Sequence, residues 1–87
     1  MTGPFNIMPN VISSQLGKER IVLDLNHGLY YSLNSIGGEI WQLIQNGAAT
    51  ERSIINFLEE KYQVCRKRLV QDTIPLIKEL KQSQLIK

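Results

Sequence analysis

The spacing of apolar residues changes near residue 34, and this change constrains the fold more than any other feature of the sequence. Before it, apolar and polar residues alternate over short runs, which is typical of half-buried β-strands. From Ser35 onward, apolar side chains recur about every 3.6 residues, which is the period of amphipathic helices. Strands therefore precede helices, and this order predicts one compact α+β domain.

Three strands are predicted before the change, in the segments 11–15, 20–25 and 29–34. The middle segment is rich in β-branched residues and carries Ile21, Leu23 and Leu25 on one face. The Asn-His-Gly run at 26–28 suits a hairpin loop, because Asn and Gly tolerate the positive φ that tight reversals require. The chain therefore predicts a three-stranded antiparallel meander.

The third predicted strand has one apolar and one polar face. If Leu29, Tyr31 and Leu33 point towards the core, Tyr30 and Ser32 point away from it. The Asn and Ser that follow are good helix caps, so the strand leads directly into a helix. In a meander this strand has one neighbour only, so one of its edges is expected to be free.

The first two helices are bounded by turn and cap residues. The first begins near Ser35 and ends at Asn46-Gly47, because glycine suits a left-handed C-terminal cap. Thr50 is expected to cap the second helix, which runs to Tyr62. A full capping box is not expected there, because the third residue after Thr50 is Ser53 rather than Glu or Gln.

A third helix is predicted over 69–81, although it contains Pro75. Proline lacks the N–H that would bond the carbonyl of Gln71, so either the helix starts near Asp72, with Pro75 in its first turn, or it is longer and bends at Pro75. We favour the longer helix with a bend. The helix has more apolar surface than one core face requires, and it carries two neighbouring apolar stripes. One stripe consists of Leu69, Leu76 and Leu80, and the other of Val70, Ile74 and Ile77.

Length and composition exclude several classes of protein. The 87 residues, 43% of them hydrophobic, suit a single small domain at 11–87, preceded by an irregular arm at 1–10. The net charge of +2 is too small to indicate nucleic-acid binding by itself. A single cysteine fits a reducing compartment, and no segment has the length or apolar content of a membrane span. We therefore expect a cytoplasmic protein with no membrane partner.

The signals for catalysis are weak. His27, the only histidine, lies in a predicted hairpin loop, and Cys65 has no evident general base. The Gly37-Gly38 pair lacks the Lys-Ser/Thr pattern of phosphate-binding loops. We therefore predict no enzyme activity, no metal and no cofactor.

The sequence resembles the PqqD-like family of peptide-recognition elements. The resemblance rests on an aliphatic-Asp strand, a Gly-aromatic-Tyr-x-Leu-Asn strand end, an Ile-Trp helix, a Gly after it and a final helix entered by an Asp. These features lie at Leu23-Asp24, Gly28 through Asn34, Ile40-Trp41, Gly47, Leu58, Tyr62, Asp72 and Leu80.

The resemblance implies a winged helix-turn-helix-like fold that binds the leader segment of ribosomally made, modified peptides. In that family the leader adds as a strand beside the third strand, in a groove walled by the third helix. The implied partners are a precursor peptide and a maturation enzyme, which is a leader-cleaving cysteine protease in lasso peptide pathways. A PqqD-type protein would instead deliver its precursor to a radical SAM enzyme.

We expect the peptide-binding site to combine the third strand with one stripe of the third helix. On this hypothesis one apolar stripe seals the core, the other lines the groove, and lysines at the rim attract acidic leader residues. The expected peptide-binding residues are Leu29, Tyr30, Tyr31, Ser32, Leu33, Val70, Thr73, Ile74, Ile77, Lys78 and Lys81.

Two other functions fit parts of the sequence. A winged-helix arrangement and the basic cluster Arg66-Lys67-Arg68 are compatible with DNA binding. The last helix, however, mixes charges of both signs with aliphatic residues, so we expect no nucleic-acid partner. Alternatively, the edge of the third strand could pair with a second copy of the chain.

Overall fold

A computed structural model describes residues 4–47 and 49–87 and confirms the predicted order of strands and helices. The fold is α+β, with three antiparallel strands followed by three helices. The elements are β1 (Val11–Leu16), β2 (Glu19–Asp24), β3 (Leu29–Leu33), α1 (Ser35–Gln45), α2 (Glu51–Tyr62) and α3 (Arg66–Gln82).

The sheet is a meander in the order β1-β2-β3, with both pairs antiparallel. In the β2–β3 ladder, Val22 lies opposite Tyr31 and Arg20 opposite Leu33. The central strand is therefore β2, and β3 lies at an edge of the sheet, as predicted.

The helices pack against one face of the sheet and leave the other face open. On β2 the inward residues Val22 and Asp24 are buried, whereas Leu23 is exposed on the outer face. The apolar residues of β2 at 21, 23 and 25 therefore share the outer face of the sheet, and the core side of this strand contains a buried carboxylate. On β3 the expected alternation holds except at Leu29, whose side chain is 53% exposed because it lies at the mouth of the turn rather than over the core.

Side-chain caps begin α1 and α2. The side chain of Asn34 accepts a hydrogen bond from the N–H of Gly37 at 2.8 Å, which starts α1 directly after β3. At the start of α2, the Thr50 side chain accepts from the N–H of Ser53, and the Ser53 side chain accepts from the N–H of Thr50 at 2.8 Å. The expectation of no capping box was wrong, because a serine hydroxyl accepts this bond in place of a glutamate.

The third helix is longer than predicted. It begins at Arg66 and continues through Pro75 to Gln82. The buried side chains of α3 are Leu69, Thr73, Ile77 and Leu80. Their spacing of three or four residues identifies the stripe that seals the core.

The described part of the N-terminal arm, residues 4–10, contributes to the core, although these residues form no helix or strand of their own. Phe5 is buried, and its N–H donates to the carbonyl of Ala49 at 2.8 Å. Ile7 forms an antiparallel bridge with Ile86 just after α3, and the N–H of Met8 donates to Leu85. These contacts tie the C-terminal end of α3 to the domain and so fix the position of that helix beside the sheet.

The described helices include none with the length and hydropathy needed to cross a membrane.

Candidate functional site: the groove between β3 and α3

The free edge of β3 displays the backbone groups of Tyr30 and Ser32. The N–H of Leu25 donates to the carbonyl of Asn10 on the β1 side, so the backbone groups of its neighbour Asp24 point towards β3. Asp24 lies opposite Leu29, so the two residues form a hydrogen-bonded pair. Along a strand, the backbone N–H and C=O groups of successive residues point alternately to one side and the other. The residues at 29, 31 and 33 therefore bond to β2, while the N–H and C=O of Tyr30 and Ser32 point outward.

Nothing in the described part of the chain pairs with this outer edge, because the sheet ends at β3 and the isolated bridge lies elsewhere. Two adjoining cavities, with volumes of about 580 and 320 Å³, run along it. Both are lined by Ser32 and Leu33 from β3 and by Leu76 and Glu79 from α3. Together they form one open groove with β3 on one side and α3 on the other.

The groove has an apolar floor and a mixed wall. Gly37 at the start of α1 forms part of the floor, and a Cβ atom there would lie 3.3 Å from Cβ of Leu33 and 3.5 Å from Cδ2 of Leu76. The absence of a side chain at Gly37 thus lets β3 and α3 approach the same floor. The remaining lining residues are Tyr30, Tyr31, Asn34, Ile36, Ile40, Gln71, Asp72, Pro75, Leu80, Ser83 and Leu85.

The structure brings most of the expected strand residues together at the groove. Tyr30, Tyr31, Ser32 and Leu33 all line it, with Tyr31 and Leu33 directed inward and Tyr30 71% exposed. Leu29 lies on the same strand but is not part of the groove lining. Four of the five expected strand residues therefore line the groove, and their role in peptide binding stays a prediction.

The expected α3 residues lie outside the groove lining. Ile77 is only 2% exposed and Thr73 only 1%, so both belong to the core stripe, and Ile74 packs partly buried against the core. Val70 and Lys78 are exposed, and Nζ of Lys81 lies 4.9 Å above the ring of Phe5. The assignment of Val70, Ile74 and Ile77 as the groove stripe is corrected, because the helix turns the neighbouring stripe towards β3.

The true wall follows the spacing Asp72, Leu76, Glu79 and Ser83. These positions are separated by four, three and four residues, so they form one helical face. This stripe is visible in the sequence, but its mixed polarity distinguishes it from the purely apolar stripes that were expected to line the groove. A groove wall is half exposed, so a stripe of mixed polarity beside the core stripe is the better criterion.

The turn before β3 is held by a buried carboxylate. Asp24 accepts hydrogen bonds from Nδ1 of His27 at 2.7 Å and from the N–H of Asn26 at 2.9 Å. The bond from the His27 side chain lowers the pKa of Asp24 below its usual 3.8, and the backbone bond acts in the same direction against the effect of burial. Gly28 completes the turn with φ of 68°, and its N–H donates to the carbonyl of Asp24. Asp24 thereby sets the point at which β3 begins.

Because the pKa of Asp24 is lowered on folding, its contribution to stability is present above pH 3.8 and is lost as the pH falls through the lowered value. We expect Asp24→Asn to be less stable than the wild type at pH 7 and to lose less stability between pH 5 and about pH 2. Urea unfolding, followed by the fluorescence of the single buried tryptophan, Trp41, measures both effects. An unchanged pH dependence in the variant would contradict this role.

Thr73 provides a separate test of the corrected stripe. Its hydroxyl is buried without a hydrogen-bond partner among the described residues. Thr73→Val keeps the shape of the side chain and removes the unpaired hydroxyl, so we expect the free energy of unfolding to rise by about 1 kcal/mol. Urea denaturation checks the gain. A loss of stability would show that the hydroxyl is satisfied in solution.

A second open cavity, with a volume of about 500 Å³, lies on the other side of α1 and contains Glu39 and Tyr62. Burial raises the pKa of Glu39, but hydrogen bonds from Lys61 and from the Tyr62 hydroxyl at 2.7 Å outweigh it and leave the pKa lowered. These contacts connect α1 to the end of α2, so the one carboxylate among the lining residues of this cavity already helps to hold the two helices together.

The family model described as coenzyme PQQ synthesis protein D (PqqD) matches residues 19–86, which is most of the chain. The chain belongs to the PqqD family. The PqqD match includes both β3 and α3, the two walls of the groove. No curated protein sequence matches the chain.

Two solved structures of similar proteins resemble the PqqD-family fold seen here. One, described as TbiB1 in complex with the TbiA(beta) leader peptide, is 26% identical, has a TM-score of 0.86 and covers 94% of both chains. The other, described as lasso peptide synthetase B1 complexed with the leader peptide, is 25% identical with a TM-score of 0.83. It covers 95% of this chain and 96% of its own.

Proposed function

We propose that this chain captures the leader segment of a ribosomally synthesised precursor peptide as a fourth strand on β3 and presents it to a processing enzyme. The observation that carries the proposal is the open edge of β3 beside the α3 wall, in a fold whose similar structures are leader-peptide complexes. Backbone hydrogen bonds to the edge supply affinity, and the groove supplies selectivity for side chains.

The outward groups of Tyr30 and Ser32 define the register of the proposed added strand. Each offers one N–H and one C=O, and alternate residues along a strand lie about 6.8 Å apart. An extended peptide that pairs with both would therefore place every second side chain over the groove floor. The other side chains would extend the exposed outer face of the sheet, where the processing enzyme could contact both the peptide and Tyr30.

For the enzyme, we propose a leader-cleaving cysteine protease of a lasso peptide pathway, with this chain acting in the cytoplasm as a binding protein without catalytic activity. The similarity over almost the whole chain to a lasso peptide synthetase B1 and to TbiB1, both solved with leader peptides, supports this partner. The PqqD match supports a second candidate, delivery of a precursor to a radical SAM enzyme. Neighbouring reading frames distinguish the two: a protease and a cyclase beside a short precursor favour the first, and a radical enzyme favours the second.

Nucleic acid is not part of the proposed function. In the basic cluster at the start of α3, Arg66 contacts Glu59 at 3.2 Å and Asn56 at 2.8 Å, and Arg68 lies 4.0 Å from Asp72. Arg66 thus has two partners within the protein, and Arg68 has one weak, exposed partner. A mobility-shift assay on random duplex DNA at low salt should show no retardation, and tight, salt-sensitive binding would overturn this exclusion.

Amide hydrogen exchange tests the strand-addition proposal directly. The ligand is a synthetic leader peptide taken from the short precursor encoded beside this gene. On binding, we expect exchange to slow at the N–H groups of Tyr30 and Ser32, which are free at the edge. Exchange at Tyr31 and Leu33 should change less, because their N–H groups already bond to β2. Binding without protection at Tyr30 and Ser32 would reject strand addition, and no binding would reject the proposed function.

A further inference from the structure

The charged side chains that line the groove are all acidic. They are Asp72 and Glu79, both on the α3 wall, and Glu79 borders both halves of the groove. The lysines expected at the rim point elsewhere: Lys81 lies over Phe5, and Lys78 is not part of the lining. The charged residues that line the groove are therefore opposite in sign to those expected from the sequence.

Glu79 is available to a ligand. Within the residues that the structure describes, it forms no ion pair and accepts no side-chain hydrogen bond. Asp72 has Arg68 as a neighbour, but the distance of 4.0 Å and the exposure of both side chains make that pair weak. A carboxylate beside a partly enclosed apolar groove attracts a cation more strongly than one on an open surface, because less water screens it.

The backbone adds a third acceptor to the same wall. Pro75 has no N–H, so the carbonyl of Gln71 lacks its usual helical donor. Gln71 and Pro75 both line the groove. A helical carbonyl points towards the residue four positions later, so this acceptor lies on the groove side of α3. Gln71 and Glu79 are eight residues apart, which is about 12 Å along the helix. Alternate side chains of an added strand would lie about 6.8 Å apart, so two of them could face these acceptors.

From this wall we infer that the groove selects leader peptides with a lysine or arginine facing α3 opposite Glu79, and discriminates against peptides with an acidic residue there. The inference rests on the proposed function, since it assigns a charge preference to the same strand-addition site. The basic side chain would extend its methylenes along Leu76 and place its charge at the carboxylate. An acidic side chain would meet Glu79 and the unpaired carbonyl of Gln71, and neither could donate a hydrogen bond to it.

A displayed library of random 12-residue peptides tests the inference. It is selected in parallel on the wild type, on Glu79→Lys, and on Glu60→Lys, which makes the same charge change at an exposed position of α2 outside the groove. A fourth selection on Ser32→Pro, which blocks the edge, identifies peptides that bind by strand addition. Circular dichroism confirms that each variant is folded.

We expect edge-dependent peptides selected on the wild type to be enriched in Lys or Arg at one position, and those selected on Glu79→Lys to carry Asp or Glu there. A wild-type peptide, once synthesised, should bind Glu79→Lys about five- to tenfold more weakly at low salt. Its affinity for Glu60→Lys should be unchanged. Edge-dependent peptides with no basic preference, or with the same preference on Glu79→Lys, would overturn the inference and leave the proposed function standing. If no variant yields edge-dependent peptides, both fail.

Discussion

Replacing Ser32 with proline is expected to weaken leader binding by about 10- to 100-fold while the domain remains folded. The N–H of Ser32 points to the free edge, so its removal breaks no hydrogen bond with β2, and proline is tolerated at strand edges. The bound leader would lose one donor, leave one carbonyl unpaired and meet the proline ring. Titration of the labelled leader, with fluorescence anisotropy as the readout, measures the loss.

Two controls separate the edge from the side chain. Ser32→Ala keeps the N–H and removes only the hydrogen bond from the hydroxyl to Glu19, so it should bind almost as the wild type does. Ser13→Pro makes the same backbone change at the opposite edge of the sheet. Backbone N–H groups alternate in direction along β1, and the N–H of Ser13 points away from β2. This variant should leave affinity unaffected. Equal losses in Ser13→Pro and Ser32→Pro would exclude β3 as the specific site.

The neighbouring residues Ile77 and Leu76 should separate stability from binding. Ile77 is buried in the core stripe, so Ile77→Ala should lower the free energy of unfolding by about 2–5 kcal/mol. Leu76 is half buried and lines both halves of the groove. Leu76→Ala should cost little stability and weaken leader binding by about five- to thirtyfold, because it removes an apolar contact on which the peptide packs.

Urea denaturation and leader titration on the same preparations check both halves of this prediction. If Ile77→Ala does not fold, Ile77→Val replaces it, with an expected loss of about 0.5–1.5 kcal/mol and unchanged affinity. A large loss of affinity in folded Ile77→Val together with none in Leu76→Ala would restore the stripe first expected from the sequence. The opposite pattern would establish Leu76 as part of the binding wall.

The exposed outer face of the sheet shows what the alternation of apolar residues can and cannot predict. Alternation correctly grouped Ile21, Leu23 and Leu25 on one face of β2, and apolar character would ordinarily assign that face to the core. The helices instead cover the face with Val22 and Asp24. Periodicity defines the two faces of a strand, but it does not say which of them the helices will cover.

The sequence alone determined the order of the elements and the free edge at β3. These follow from local causes, namely alternation, caps and the short connections of a meander. Only the tertiary structure decided which face of α3 meets β3, because several stripes of that helix satisfy the same period. The rotation of α3 is set by the burial of Ile77 and Leu80 and by the arm at Phe5. This rotation turns Leu76 and Glu79 towards the edge and so gives the groove its acidic wall.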